Sequence, residues 1–228
     1  MFVDPDGPKG FGRLITVEEA RRYIISHFNK SLSNERVRQI LHEEGLVQRV
    51  PTYSFTRASP TQQKEFVEDY KELMERKEIQ SGETIVLFHD ETTVREHPTR
   101  TTVWSEKGHR PVVLTSGQHQ KMHFSGVLNP KTGETYSTIV SGLNSDCFCQ
   151  FLRELHTRYP NQRIHVILDG HRIHTSKQTK KFIDQNASWL EVSYLPPYSP
   201  NLNPVEQLWR WMKEKVVHNR FYRCFGDL

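Results

Sequence analysis

Residues 84–90, TIVLFHD, and residues 163–170, RIHVILDG, decide how this chain folds. Each is a short apolar run rich in β-branched residues, and each reads as a strand through a core. Each also reaches an aspartate where the apolar run stops, Asp90 and Asp169. One acid at the end of a buried strand is ordinary, because it suits the turn that follows. Two at strand ends, with a third in the first turn of a helix (Glu206 in NPVEQLWRWM), make a set that can hold divalent metal ions.

Working outward, MHFSGVLN (122–129) and TYSTIVSG (135–142) flank the turn NPKTGE and form a hairpin, which with the first strand predicts an antiparallel meander. Residues 145–159 place Phe148, Phe151, Leu152 and Leu155 on one side of a helix. The strand at 163–170, a helix over 175–185, the strand LEVSYLP and a last helix from Pro204 complete the order. Three strands followed by alternating helices and strands are the order of the ribonuclease H-like fold, an α/β domain with a mixed five-stranded sheet and helices.

Upstream, Thr16 and Glu19 form a capping-box pattern, and Ala20, Tyr23, Ile24 and Phe28 recur at helical spacing, so a helix is expected over 17–28. Ser33 can cap a second helix that turns Val37, Ile40 and Leu41 inward and stops at Gly45. Two short helices joined by a tight turn make a small all-α helix-turn-helix candidate. Residues 46–60 carry Pro51 and Pro60 and read as a wing or linker. Ser59 and Pro60 then open a connector helix to about Gln80, with Phe66, Tyr70, Leu73 and Met74 on one face. The expected division is a helix-turn-helix or winged-helix unit with its linker over 1–58, a connector helix over 59–82 and the α/β domain over 83–228.

Of the 228 residues, 35% are hydrophobic and 25% charged, and no apolar run approaches the roughly 20 residues of a membrane span. No secretory signal is visible at the start, so a cytoplasmic protein without a membrane partner is expected. The formal net charge of +4 is compatible with a polyanionic partner without demanding one. Cys147, Cys149 and Cys224 fit neither a disulfide framework nor paired zinc-site spacing, and read as free thiols in or near the core.

Breaking or transferring a phosphodiester needs an activated oxygen nucleophile, a stabilised leaving oxygen and neutralised charge between them. Two divalent ions about 4 Å apart supply all three. Magnesium and manganese prefer hard oxygen ligands, and Asp90, Asp169 and Glu206 are of that type. Taken singly each has a bland reading, two as strand-to-turn acids and one as a first-turn acid favoured by the helix dipole.

The stretches FHDETTVREHPTRTTVWSEKGHRPVV (88–113), VILDGHRIHTS (166–176) and YLPPYSPNLNPVEQLWRWMK (194–213) resemble the three signature blocks of mariner-type DDE transposases, specifically the bacterial insertion-sequence family numbered 630. The last block is the most specific, from Leu195 through Pro204 and Glu206 to Trp209. The interval 170–205 matches the usual spacing between the second and third acids. The resemblance implies that Asp90, Asp169 and Glu206 are a DDE triad binding two magnesium or manganese ions. Glu91, Trp104, Gly108 and His174 also match family positions. Trp104 reads as packing and Gly108 as a turn, while His174 either reaches the site or makes a structural hydrogen bond. Gly170 departs from the family, which usually has Asn after the second Asp, and weakened rather than abolished activity is the expectation. Relatives extend further at both ends, so a truncated copy of the element is also expected.

On the second short helix, Asn34, Arg36, Arg38 and Gln39 are side chains that can read base edges or hold phosphates. The resemblance implies double-stranded DNA partners (the element's terminal inverted repeats and the target), a homodimer or larger assembly on DNA, and nucleoid association. Two other readings stay open: a catalytically impaired DNA-binding repressor, and a general ribonuclease H-like nuclease without end specificity.

Overall fold

The computed structural model describes residues 16–48, 57–117 and 119–227, and the chain divides into two compact units, Met1–Tyr53 and Ser54–Leu228. In the first unit α1 (Val17–Phe28) and α2 (Asn34–Glu43) form the anticipated pair. The capping box is present, with Glu19 N–H donating to Thr16 Oγ1 at 3.2 Å and Thr16 N–H to Glu19 Oε2 at 2.8 Å. Arg21 Nε ties α1 to the connecting turn through Leu32 O at 2.7 Å. The expected inward stripe of α1 is only partly covered: Ala20 is buried, whereas Tyr23 and Phe28 are exposed. Two crossing helices meet along one narrow seam, and these rings lie off it. The wing or linker expected at 46–60 falls largely on residues 49–56, outside the described residues.

The second unit opens with α3 (Pro60–Glu75) and α4 (Lys77–Gln80). The single connector helix expected to Gln80 is thus broken at Arg76, whose ψ of 138° is extended, and the break lets Ile79 join Leu73 in the same core. Then follow β1 (Thr84–Arg95), β2 (Lys121–Leu128), β3 (Thr135–Val140), α5 (Ser145–Arg158), β4 (Arg163–Leu168), α6 (Arg172–Thr175), α7 (Lys177–Gln185), β5 (Leu190–Tyr194) and α8 (Pro204–Val216). The helix expected over 175–185 starts earlier and is interrupted, because Ser176 leaves the helix to accept from Thr179 N–H at 3.1 Å and cap α7.

The sheet order is β3-β2-β1-β4-β5, antiparallel on the β3-β2-β1 side and parallel from β1 through β4 to β5. This is the ribonuclease H-like arrangement. Both faces of its centre are covered, in keeping with the unbroken apolar stretches 85–88 of β1 and 166–168 of β4. Leu87, Val166 and Leu168 face Phe148, Phe151, Leu152 and Phe182 from α5 and α7. Val86, Phe88 and Ile167 face Leu73, Leu195, Val205 and Trp209.

Between β1 and β2 the chain makes a long excursion over 96–120, tied to the end of α8 by Asn219, which donates to Thr101 O and accepts from Thr101 N–H at 2.9 Å. Gly108 turns there at φ +90°. Trp104 corrects an expectation: carried out on this excursion away from the sheet, it is fully exposed rather than packed. Cys149 is buried and Cys147 half-buried, but Cys224 is exposed, away from the core expected for it; all three are free. Among the described residues no helix is long and apolar enough to cross a membrane.

Candidate active site

β1 does not end at Asp90, as its apolar run implies, but continues to Arg95 in register with β2. What ends near Asp90 is the parallel pairing with β4, whose last partners are Phe88 and Ile167. Asp90 therefore stands just past that edge, beside Asp169, which follows the last residue of β4. Asp90 stays on an ordered strand because Gly126 of β2 pairs with it on the other side.

Glu206 arrives from α8. Asn203 caps that helix, its Oδ1 accepting from Val205 N–H at 3.2 Å, and its Nδ2 donates to His89 O at 3.0 Å. One buried side chain thus fastens the helix start to the residue before Asp90. Pro204 follows at the first helical position, where its missing N–H costs nothing. The loop before it is braced by Gln63 of α3, donating to Ser199 Oγ at 2.9 Å. Tyr198 is half-exposed in the left-handed region at φ +57°, with Arg57 donating to its hydroxyl at 3.3 Å.

Asp90, Asp169 and Glu206 line one cleft of about 480 Å³, with Gly170, His171, Asn203 and the loop 195–200 forming its walls. Burial, followed by the negative charges of Glu91, Glu206 and Asp169, pushes Asp90 up to about 7. Glu206 is raised by burial and by Asp169, against Arg210. Burial also works to raise Asp169, but His174 and the backbone N–H of His171 hydrogen-bond to it and hold it below the usual carboxylate range. The donor set fits magnesium or manganese: oxygens alone, in an open cleft, with a mutual repulsion that a divalent cation relieves.

Behind the cleft lies a second polar group. His174, fully buried, has Nδ1 2.7 Å from Asp169 Oδ1 and Nε2 3.0 Å from Glu91 Oε1. Burial alone would lower His174, yet its bonds to Asp169 and Glu91 raise it to about 10. Burial takes neighbouring His89 down to about 4, so at neutral pH His174 is the cation that the two carboxylates share. His89 Nε2 meets Ser125 Oγ at 2.8 Å. Among the described residues, His89, Glu91 and His174 are the group whose ligand atoms all lie within 4.8 Å of one another. Both His174 nitrogens are engaged by carboxylate oxygens at hydrogen-bond distance, so the contacts are those of a bonded network.

The acids expected from the sequence thus share one cleft, with Glu91 and His174 directly behind it. Asn34, Arg36, Arg38 and Gln39 lie exposed on α2 in the other unit. Asn203, the His171 N–H and Ser125 escaped the sequence reading. For Asn203 a signal existed, since Asn before Pro at a helix start is a capping pattern. The bonds to residues 89 and 169 leave no local trace.

The profile of the family described as DDE superfamily endonuclease matches residues 85–228. The chain belongs to the DDE superfamily endonucleases. A winged helix-turn helix profile matches residues 12–70, giving this DDE endonuclease an N-terminal winged helix-turn-helix region. It is 30% identical over 140 residues, 61% of the chain, to the "Insertion element IS630 uncharacterized 39 kDa protein" of Shigella sonnei, and the match spans 40% of that relative's length. It is 27% identical over 105 residues to the "Uncharacterized protein y4pE/y4sA" of Sinorhizobium fredii, covering 45% of the chain and 73% of that protein. Among solved structures, the Mos1 mariner paired end complex with Mn is similar at TM-score 0.64 and 15% identity, over 96% of this chain and 71% of that one. The Mos1 transposase paired-end complex with left transposon end is similar at TM-score 0.62 and 17% identity, over 98% of this chain and 72% of that one. At such identity the likeness shows the fold.

Proposed function

We propose that this DDE endonuclease is a DNA transposase, which binds the terminal inverted repeats of an insertion element, cleaves at its ends and joins the released 3′ hydroxyl to target DNA. The observation that carries the reading is the convergence of Asp90, Asp169 and Glu206, from three separate elements, on one open cleft. These three carboxylates are the proposed catalytic set and would hold two magnesium or manganese ions, in keeping with Mos1 complexes named for Mg and for Mn. Bound there, the ions supply Lewis acidity for attack and departure at the phosphodiester. The chain's own contribution is placement: the β1–β4 edge holds two carboxylates side by side, and the Asn203 anchor brings up the third.

In this reading residues 1–58 bind the repeat, 59–82 connect and 83–228 carry the chemistry, working in the cytoplasm on nucleoid DNA as a homodimer or larger assembly. Asn34, Arg36, Arg38 and Gln39 on exposed α2 are its DNA contacts. The similar Mos1 structures, a paired-end complex with left transposon end and a strand transfer complex, support DNA ends as the substrate class.

Incubating the full chain with a labelled duplex bearing the element's terminal repeat and Mg²⁺ or Mn²⁺ tests the reading. Nicking at the repeat end, lost in Asp169→Asn, is expected. Repeat binding without cleavage, identical in Asp169→Asn, would make the chain a repressor. Cleavage unchanged by competing unrelated duplex would make it a general nuclease.

A further inference from the structure

The carboxylate of Asp169 is held from one side only. Its Oδ1 accepts from His174 Nδ1 at 2.7 Å and from the backbone N–H of His171 at 3.0 Å. His174 is fixed in turn: Nε2 donates to Glu91 Oε1 at 3.0 Å, its backbone O accepts from the Tyr194 hydroxyl at 3.2 Å, and its ring packs 4.5 Å from that of Phe148. Glu91 comes from β1, next to Asp90, so the bridge links the two strands that present the cleft's aspartates. The resemblance places Asn after the second Asp, where this chain has Gly170, which has no side chain to orient Asp169.

We propose that His174, braced by Glu91, is a positioning residue: it fixes Asp169 through Oδ1, leaves Oδ2 for a divalent ion, and does the orienting that residue 170 cannot. The inference rests on the metal-binding reading of the cleft. Partners behind a ligand set its orientation and commonly change metal affinity or activity by 10–100-fold when removed. Here the partner is fully buried, so its geometry is not shared with water.

Titrating the uniformly ¹⁵N-labelled full chain with Mg²⁺ tests this directly, with His174 signals assigned through the His174→Asn variant. The expected result is that the ring nitrogen signals of His174 shift together with the backbone amides of Asp90, Asp169 and Glu206. Amides that shift beside an unmoved His174 ring overturn the inference and leave the metal reading standing. Amides that do not respond at all overturn the metal reading, and the inference with it.

A second measurement separates positioning from packing. His174→Asn keeps a donor near the Nδ1 position but loses bulk; His174→Leu keeps bulk and loses the donor. Mn²⁺ affinity by electron paramagnetic resonance is expected to fall about 10–100-fold in the Leu variant and by much less in the Asn variant. Equal affinities, or a better-binding Leu variant, overturn the proposal. Should the Leu variant not fold, the titration of the wild-type chain still decides.

Discussion

Trp209 lies directly over Gly126: a Cβ on Gly126 would sit 2.6 Å from Trp209 Cη2 and 2.8 Å from Cζ2. Gly126 pairs with Asp90 across β1 and β2, and Trp209 stands one helical turn after Glu206. α8 therefore packs on the sheet beside Asp90 with no room to spare at this point, and Glu206 is carried by the same helix. Only a residue without a side chain lets the indole settle there.

Gly126→Ala is accordingly expected to push α8 away from the sheet. Overpacking of this kind costs about 1–3 kcal/mol. Thermal melting should show that loss, and the nicking rate should fall more steeply than stability does, because Glu206 moves with the helix. A variant that melts lower yet nicks at the wild-type rate would show that α8 tolerates the displacement.

Asn203→Asp separates the cap from the anchor. The variant keeps an acceptor for Val205 N–H but sets a carboxylate oxygen against His89 O, where Nδ2 now donates. A buried acceptor left facing another acceptor costs about 1–3 kcal/mol or more. Melting should drop by that amount and cleavage should be lost, whereas Asn203→Ser, a good cap without the second bond, should fold better than the Asp variant. Unfolding curves of the three proteins in urea give the ranking.

The acids of the cleft were legible because a strand covered on both faces is an unbroken apolar run, and its first charge marks where the cover ends; this holds for Leu168–Asp169 and for His89–Asp90. The full length of β1 was not legible, since residues 91–95 alternate in burial and their partners 121–125 lie beyond a long excursion. Helix breaks at Arg76 and Ser176 were hidden for a related reason. Both residues are acceptable inside a helix, and it is the cores reached by Ile79 and by Phe182 that impose the breaks. Trp104 read as core because exposure of a tryptophan has no signature in its neighbours.

Gly170→Asn tests how complete the existing support of Asp169 is. A Cβ at Gly170 would meet nothing within 4 Å, and its φ lies outside the left-handed region, so the side chain has room. With Oδ1 already bonded twice, the added amide should change Mn²⁺ affinity far less than the roughly 10–100-fold typical of a lost outer partner. Isothermal titration of the two proteins provides the comparison, and a tenfold gain would mean that Asp169 is under-supported.

Stability of the metal-free chain should depend on pH in a definite direction. Asp90 is raised from 3.8 to about 7, so between those values the folded chain keeps a proton that the unfolded chain releases, and stability falls as pH rises. His89, lowered from 6.5 to about 4, gives the opposite slope over most of that window. Above pH 6.5 only losses remain: Asp90 finishes ionising near 7, and His174, raised from 6.5 to about 10, contributes stability present below 6.5 and lost as pH climbs to 10. Calorimetry in EDTA should find melting nearly level from pH 5 to 6.5 and declining from 7 to 10. Saturating Mg²⁺ should competitively lower the pH midpoint of nicking set by Asp90, because ion and proton seek the same carboxylate.

On α2, Arg36 pairs with Glu43 at 3.1 Å and Arg38 with Glu35 at 3.0 Å, all four side chains being well exposed. Exposed pairs of this kind contribute little, so exchanging a carboxylate for a phosphate sacrifices almost nothing of the fold. Arg38→Ala should weaken binding of the terminal repeat and of unrelated duplex alike, reducing the salt slope of the binding constant by about 1. Gln39→Ala should instead cost about 1–3 kcal/mol on the repeat and little on unrelated duplex if its amide reads a base edge. Fluorescence anisotropy at several salt concentrations resolves both effects. An unchanged slope and unchanged affinities in both variants would remove α2 from the DNA interface, and with it the assignment of base reading to the first unit.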